Sequence, residues 1–294
     1  MSNYILSCSS TADLTKEQFE VRNIPVICYR YLLDGEERQD DFWRSLSAHD
    51  FYHALRNGSD TATAQVNIAE YLSFFRTLLE SGKDVIHICF SSGLSGSFSS
   101  AENAARIARE QFPTQKLFVI DSLCASSGYG LFMEELADRR DEGFTIEQLA
   151  QWAEKNRLNV QHWFFSSDLS CYLKGGRISK ASAVFGGMFH ICPLLTMDAQ
   201  GKLRLYSKPR GKNRAQRECA ARMSELCDGG SAYSGRCFIS HSDCAEDAQI
   251  LMELLEQEFP ALKGKIECFD IGTTIGSHSG PDTVALFFLG RGRE

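Results

Sequence analysis

No apolar run in this chain approaches the roughly 18 residues that a membrane-crossing helix needs. The opening Met1-Ser2-Asn3-Tyr4-Ile5-Leu6 carries no basic stretch ahead of an apolar one. The sequence therefore reads as having no integral membrane segment and no secretory leader, and the expected location is cytoplasmic. No basic run stands out, and with a net charge of −7 a broad nucleic-acid footprint is not expected. None of the eleven cysteines sits in a C-x-x-C pair, which argues against a zinc ribbon or a thioredoxin motif. They are expected to be small buried hydrophobes in a reducing compartment, Cys89 and Cys192 above all, since both lie in apolar runs. A phosphate loop is missing, because Lys174-Gly175-Gly176-Arg177 does not follow the G-x-x-x-x-G-K-[ST] order. His49 and His53 share one face of a predicted helix, but Asp50 follows His49 where H-E-x-x-H needs Glu, and two ligands are too few. The pair reads as a solvated face, with no metal and no cofactor expected.

What is present fits a soluble globular protein. The chain has 294 residues, 43% hydrophobic and 23% charged, enough for two domains of about 100–200 residues each. In the first half, strand and helix signals alternate. Strands are predicted at Tyr4–Cys8, Asp84–Phe90 and Lys116–Ile120, with a further apolar stretch at Ile24–Leu33. Helical spacing links Ile68, Leu72, Phe75 and Leu79, then Phe98, Ala101, Ala105 and Ala108, then Gly128–Arg140. Ser47-x-x-Asp50 and Thr145-x-x-Gln148 read as helix starts. This rhythm predicts an α/β fold, a parallel sheet with helices on both faces in three layers, over residues 1–160. Residues 161–294 show six strand signals (near Gln161–Ser167, His190–Met197, Lys202–Lys208, Arg236–Ser240, Lys265–Phe269 and Val284–Leu289) and only two long helices, Asn213–Cys227 and Ala245–Phe259. A smaller mixed α+β domain is expected there, with a ligand between the two.

Four clusters carry chemistry. Phe90-Ser91-Ser92-Gly93-Leu94-Ser95-Gly96-Ser97-Phe98 follows a predicted strand and opens a predicted helix. Its hydroxyls and N–H groups suit a carboxylate or phosphate at the positive end of a helix, or they form a Ser-capped turn with no ligand. Ser95 resembles the serine of a nucleophile elbow, but Gly93-Leu94-Ser95-Gly96-Ser97 lacks the final glycine of G-x-S-x-G. Asp121-Ser122-Leu123-Cys124-Ala125-Ser126-Ser127 reads as a loop with a helix N-cap at Ser126 or Ser127. Leu173-Lys174-Gly175-Gly176-Arg177-Ile178 offers a forked donor in Arg177, for a carboxylate or for a structural ion pair. Gly276-Ser277-His278-Ser279-Gly280-Pro281 places His278 among turn formers, a better ligand contact than the strand residue His87, which reads as a satisfied core histidine. Ala183–Phe189 reads as tunnel wall or ordinary core.

Taken in order, these pieces resemble the DegV family of fatty-acid-binding proteins. The pieces are Ser9-Ser10-Thr11-Ala12-Asp13-Leu14, Thr63-Ala64-Gln65, Ser91–Phe98, Asp121-Ser122, Leu173–Ile178, Pro209-Arg210-Gly211 and His278-Ser279-Gly280-Pro281. They span almost the whole chain. The resemblance implies a non-catalytic carrier that holds a long-chain fatty acid between two domains and presents its carboxylate to a fatty acid kinase. It implies that Thr63, Ser95 and Ser97 bind the carboxylate, Ser97 keeping a hydroxyl where the family has Thr. It further implies Arg177 and His278 in the surrounding network and Arg210 as a contact for the kinase. The chain departs from the pattern at Ser9, where Asp is usual, at Ala64, and at Asp282, which brings a charge near His278. A serine hydrolase or acyltransferase, and a binding domain for a phosphorylated metabolite, remain the alternatives.

Overall fold

The computed structural model describes residues 3–178 and 190–294. The stretch 183–189, read above as tunnel wall or core, lies outside the described residues. The first half runs Tyr4–Ser9 (β1), Lys16–Val21 (α1), Val26–Ile27 (β2), Arg30–Leu33 (β3), Glu36–Gln39 (β4), Ala48–Arg56 (α2), Thr61–Ala64 (β5), Ile68–Leu79 (α3), Asp84–Cys89 (β6), Ser97–Gln111 (α4), Leu117–Asp121 (β7), Ser126–Asp141 (α5) and Ile146–Asn156 (α6). The second half runs Val160–Ser166 (β8), Ser170–Lys174 (α7), Leu194–Met197 (β9), Leu203–Ser207 (β10), Lys212–Leu226 (α8), Cys237–His241 (β11), Ala245–Glu258 (α9), Glu267–Asp270 (β12), Thr273–Ser279 (α10) and Thr283–Leu289 (β13).

Alternation along β6 explains the first layer structure. Val85 and Cys89 pack with α3 and α4 residues such as Phe75, Ala101 and Ala105. Ile86 and Ile88 point the other way, into a core with Phe132, Leu136, Leu149 and Ala153 of α5 and α6. The strands form a four-stranded parallel sheet in the order β2-β1-β6-β7. A six-stranded mixed sheet follows in the order β10-β9-β8-β13-β11-β12, and every strand from Val160 onward belongs to it. A third sheet, β4-β3-β5, is antiparallel and has no counterpart in the predicted elements.

Helix α5 joins the two large sheets. It is buried along nearly its whole length, and one hydrophobic cluster runs through it from Leu6 and Ile86 to Phe238 and Phe287. Gly128 lies against the His162 ring and Phe287, and Gly130 against the backbone of Ala12. At the far end of α5, Glu134, Glu135 and Asp138 take Arg22 from one side and Arg236 from the other, at 2.7–2.9 Å for the closest pairs.

Two local expectations are corrected. The start of α5 is not capped by Ser126 or Ser127. Ala125 is the N-cap and makes no side-chain cap, while Ser126 Oγ donates to Asp13 Oδ2 at 2.6 Å and Ser127 Oγ to the Asp13 carbonyl at 3.2 Å. His278 sits in helix α10, not in a loop. All eleven cysteines are unpaired; seven are buried, three half-buried, and Cys268 is exposed. His87 is fully buried, bonded through Nδ1 to Ser7 Oγ at 3.0 Å, and burial holds its pKa down at about 3.

Candidate functional site

The carboxyl ends of the first sheet, β5 of the small sheet, α10 and the loop after α7 converge on one cavity of about 430 Å³. Thr63, Ser95, Arg177 and His278, taken from four separate stretches of sequence, all line it. Each is delivered by a different local device. Thr63 lies on β5, registered opposite Tyr31 of β3. Ser95 lies in the turn between β6 and α4, where its amide donates to the Ser91 carbonyl at 3.2 Å and its Oγ accepts from the Ser97 amide at 3.2 Å. Arg177 follows α7, and its guanidinium donates to the carbonyls of Leu94 and Gly175. His278 comes from the last turn of α10.

The electrostatics leave room for a negative group. Among the described residues Arg177 has no acidic partner, and burial lowers its pKa. Thr63 Oγ1 and His278 Nε2 are 2.7 Å apart, while His278 Nδ1 is buried with no partner. Burial, with Arg177 nearby, pulls the His278 pKa down to about 4, so the imidazole is neutral at pH 7. Asp282 does not disturb it, being paired with Arg56 at 3.0 Å. The site thus offers neutral donors and one guanidinium with no acidic partner among the described residues, a set that suits a carboxylate or a phosphate.

Tyr29 is the residue that sequence reasoning missed. It lies in the apolar stretch Ile24–Leu33 and reads as core, and it is 2% exposed. It lines the cavity, and among the described residues its hydroxyl has no partner in hydrogen-bonding geometry, although the hydroxyls of Ser97, Ser95 and Tyr71 are near. Burial pushes its pKa up, which keeps it a donor. Ser97 departs from expectation in the opposite sense. Its hydroxyl is fully buried, 2.8 Å from Tyr71 Oη, and does not line the cavity; only its amide serves the site, through Ser95. Arg210 also lies off the cavity, exposed beyond the end of β10.

The loop carrying Ser95 is braced from behind. Ser91 Oγ donates to the Gly201 carbonyl at 2.8 Å. The turn containing Gly201 is held by Arg293, whose buried guanidinium donates to the carbonyls of Asp198, Leu123 and Arg157 at 2.7–3.3 Å.

Below the polar mouth the lining turns apolar. Ala125, Tyr172, Leu203, Ile275 and Ser279 are shared with an adjoining cavity of about 60 Å³, whose other walls include Phe164, Met197, Ala285 and Phe287. A serine–histidine–carboxylate chain is absent among the described residues. Ser95 makes no bond to a histidine, and His278 Nδ1 has no carboxylate to orient it. No described group of three His, Cys, Asp or Glu side chains is placed to hold a metal, and no described helix is long and apolar enough to cross a membrane.

Comparison with known proteins agrees with this architecture. Residues 8–291 match the family model described as uncharacterised protein, DegV family. A DegV domain-containing protein of Clostridium perfringens is 30% identical over 297 residues, covering 100% of both chains. One from Lactococcus lactis is 31% identical over 284 residues, covering 96% of each. Among solved structures, a fatty-acid-binding DegV family protein from Thermus thermophilus superposes with a TM-score of 0.85 at 24% identity, over 99% of this chain and 100% of that one. A DegV family protein from Eubacterium eligens loaded with heptadecanoic acid gives a TM-score of 0.83 at 20% identity, over 98% and 100%.

Proposed function

The chain belongs to the DegV family, and from that premise we propose that it is a non-catalytic carrier of one long-chain fatty acid. The tail lies in the apolar slot and the carboxylate meets Thr63 and Ser95, with Arg177 and His278 around them. The observation that carries this reading is the joining of unpartnered donors at the mouth to an apolar floor. Burying about 14 methylenes at ~0.8 kcal/mol each gives roughly 11 kcal/mol of gross attraction, of which immobilisation removes several. Affinity therefore comes from the tail. The head group needs only enough donors to offset its desolvation. Heptadecanoic acid in the Eubacterium eligens protein supports a single long saturated chain as the ligand class.

The carrier presents the acid to a fatty acid kinase, which forms the acyl phosphate. Arg210 is the proposed kinase contact. It stands in a stretch, 202–217, that holds seven Lys or Arg and no Asp or Glu. Strand alternation exposes Arg204 on β10, an edge strand whose Leu203 faces the slot, and Lys202 is exposed just before it.

Native mass spectrometry of protein purified from cells tests the first part: one fatty acid per chain is expected, and a phosphate ester without lipid would count against it. Thr63→Ala and Ser95→Ala are each expected to weaken fatty-acid retention; unchanged affinity in both overturns the head-group assignment. For the second part, Arg210→Glu is expected to slow acyl-phosphate formation by the kinase while leaving fatty-acid binding intact.

A further inference from the structure

A second cavity, of about 440 Å³, shares no lining residue with the first. Its walls bring Asp13, Asp40 and Asp270 together with Phe42, Trp43 and Phe269. Asp13 and Asp40 are 6% and 5% exposed, and among the described residues neither forms an ion pair. The basic residues on the same wall do not neutralise them: Lys16 pairs with Glu20 at 3.1 Å, and Arg44 is exposed. Asp270 lies 3.7 Å from His241 Nδ1, and Glu17 completes the acidic lining.

The hydrogen bonds are also incomplete. Asp40 Oδ2 accepts from Ser10 Oγ at 3.0 Å and from Thr274 Oγ1 at 2.7 Å. Asp13 Oδ2 accepts from Ser126 Oγ at 2.6 Å. Asp13 Oδ1 has no donor in hydrogen-bonding geometry, although the Gly272 amide is near enough to favour its charged form. Thr273 Oγ1 is buried with no partner in hydrogen-bonding geometry, although it is near enough to Asp40 to favour its charged form. The Oδ1 atoms of Asp13 and Asp40 lie 2.5 and 3.6 Å from where a Cβ of Gly272 would stand, so they converge over a residue that has no side chain to fill the space.

Two buried carboxyls without a counter-ion among the described residues are costly, and that cost is relieved by a held proton or by a cation brought from outside. We propose that this chamber binds a small organic cation, an ammonium or guanidinium ion, on Asp13 and Asp40, with Phe42, Trp43 and Phe269 as its walls. Aromatic faces favour such ions. A divalent metal fits less well, since no three metal-binding side chains converge among the described residues. The proposal stands independently of the fatty-acid reading.

The test is isothermal titration of the full chain with putrescine and with tetramethylammonium chloride at constant ionic strength, with glycerol as the neutral comparison. Saturable one-site binding of at least one cation and none of glycerol is expected, weakened by about tenfold or more in Asp13→Asn while fatty-acid content is unchanged. Thermal melting checks that Asp13→Asn is folded; if it is not, Trp43→Ala, on the half-buried wall, carries the comparison with the same expected weakening. Absence of saturable binding, or binding that a folded Asp13→Asn or Trp43→Ala leaves unchanged, overturns the proposal.

Discussion

Tyr29 holds a buried hydroxyl with no partner in hydrogen-bonding geometry among the described residues, although Ser97, Ser95 and Tyr71 lie near it, in the same cavity as the groups expected to meet a carboxylate. If a ligand oxygen supplies the missing acceptor, Tyr29→Phe weakens fatty-acid binding by roughly 3- to 10-fold, the worth of a typical hydrogen bond. The same change leaves the ligand-free protein as stable or slightly more so, because an unsatisfied group has been removed. Competition binding with a fluorescent fatty acid and thermal melting of the stripped protein measure the two effects, and a fall in both would point to mere loss of packing. Ser95, Arg177 and His278 stand out in the sequence because small polar stretches and turn glycines mark them, whereas Thr63 enters only through the family resemblance; the structure brings all four to one cavity. Tyr29 does not stand out, since an aromatic residue in an apolar stretch looks the same whether its hydroxyl faces packing or a cavity. Ser97 misled for the converse reason: its hydroxyl meets Tyr71, a neighbour brought by α3 that no local pattern reveals.

Elements with a strong apolar period were legible. The strands Tyr4–Ser9 and Asp84–Cys89, and helices α3, α4 and α5, lie within a few residues of their predicted bounds. The short elements were not. Strand β4 is Glu-Glu-Arg-Gln, with no apolar alternation. Helix α10 is Thr-Thr-Ile-Gly-Ser-His-Ser, poor in helix formers; it is held instead by tertiary bonds such as Thr274 to Asp40 and Tyr52 Oη to the Ile271 carbonyl. Helix α5 gives the sharpest test of packing over propensity. Gly→Ala inside a helix ordinarily stabilises by about 1 kcal/mol. At Gly128 the new Cβ would collide with His162 and Phe287. Gly128→Ala is therefore expected to destabilise by about 1–3 kcal/mol, the usual range for overpacking, as read from urea denaturation; a stabilised variant would show that α5 is not clamped between the sheets.

Across the molecule, buried histidines set an acid limit. Burial holds His87 down at about 3 and His278 at about 4, and pushes His162 well below its ordinary value. As pH falls from about 6.5, the unfolded chain takes up these protons while the folded chain refuses them, so stability drops between about pH 6.5 and 4. Asp13 and Asp40 act in the other direction. Burial raises both, so the folded chain keeps their protons where the unfolded chain has lost them, and their contribution grows as pH falls. Melting temperatures from pH 7 to 4.5 are expected to decline, and to decline less steeply in His87→Gln even if that variant starts lower; parallel curves would remove His87 from the account.

The burial of seven of the eleven cysteines has a practical side. Cys268 is the exposed thiol, and it stands on the wall of the acidic chamber. Partial desolvation of its sulfur at the chamber wall, with Asp270 nearby, holds its pKa up, so alkylation proceeds best in mildly alkaline buffer. An environment-sensitive dye attached there, once the half-buried Cys28, Cys171 and Cys244 are replaced, would turn the chain into its own optical sensor for whatever enters beside Asp13.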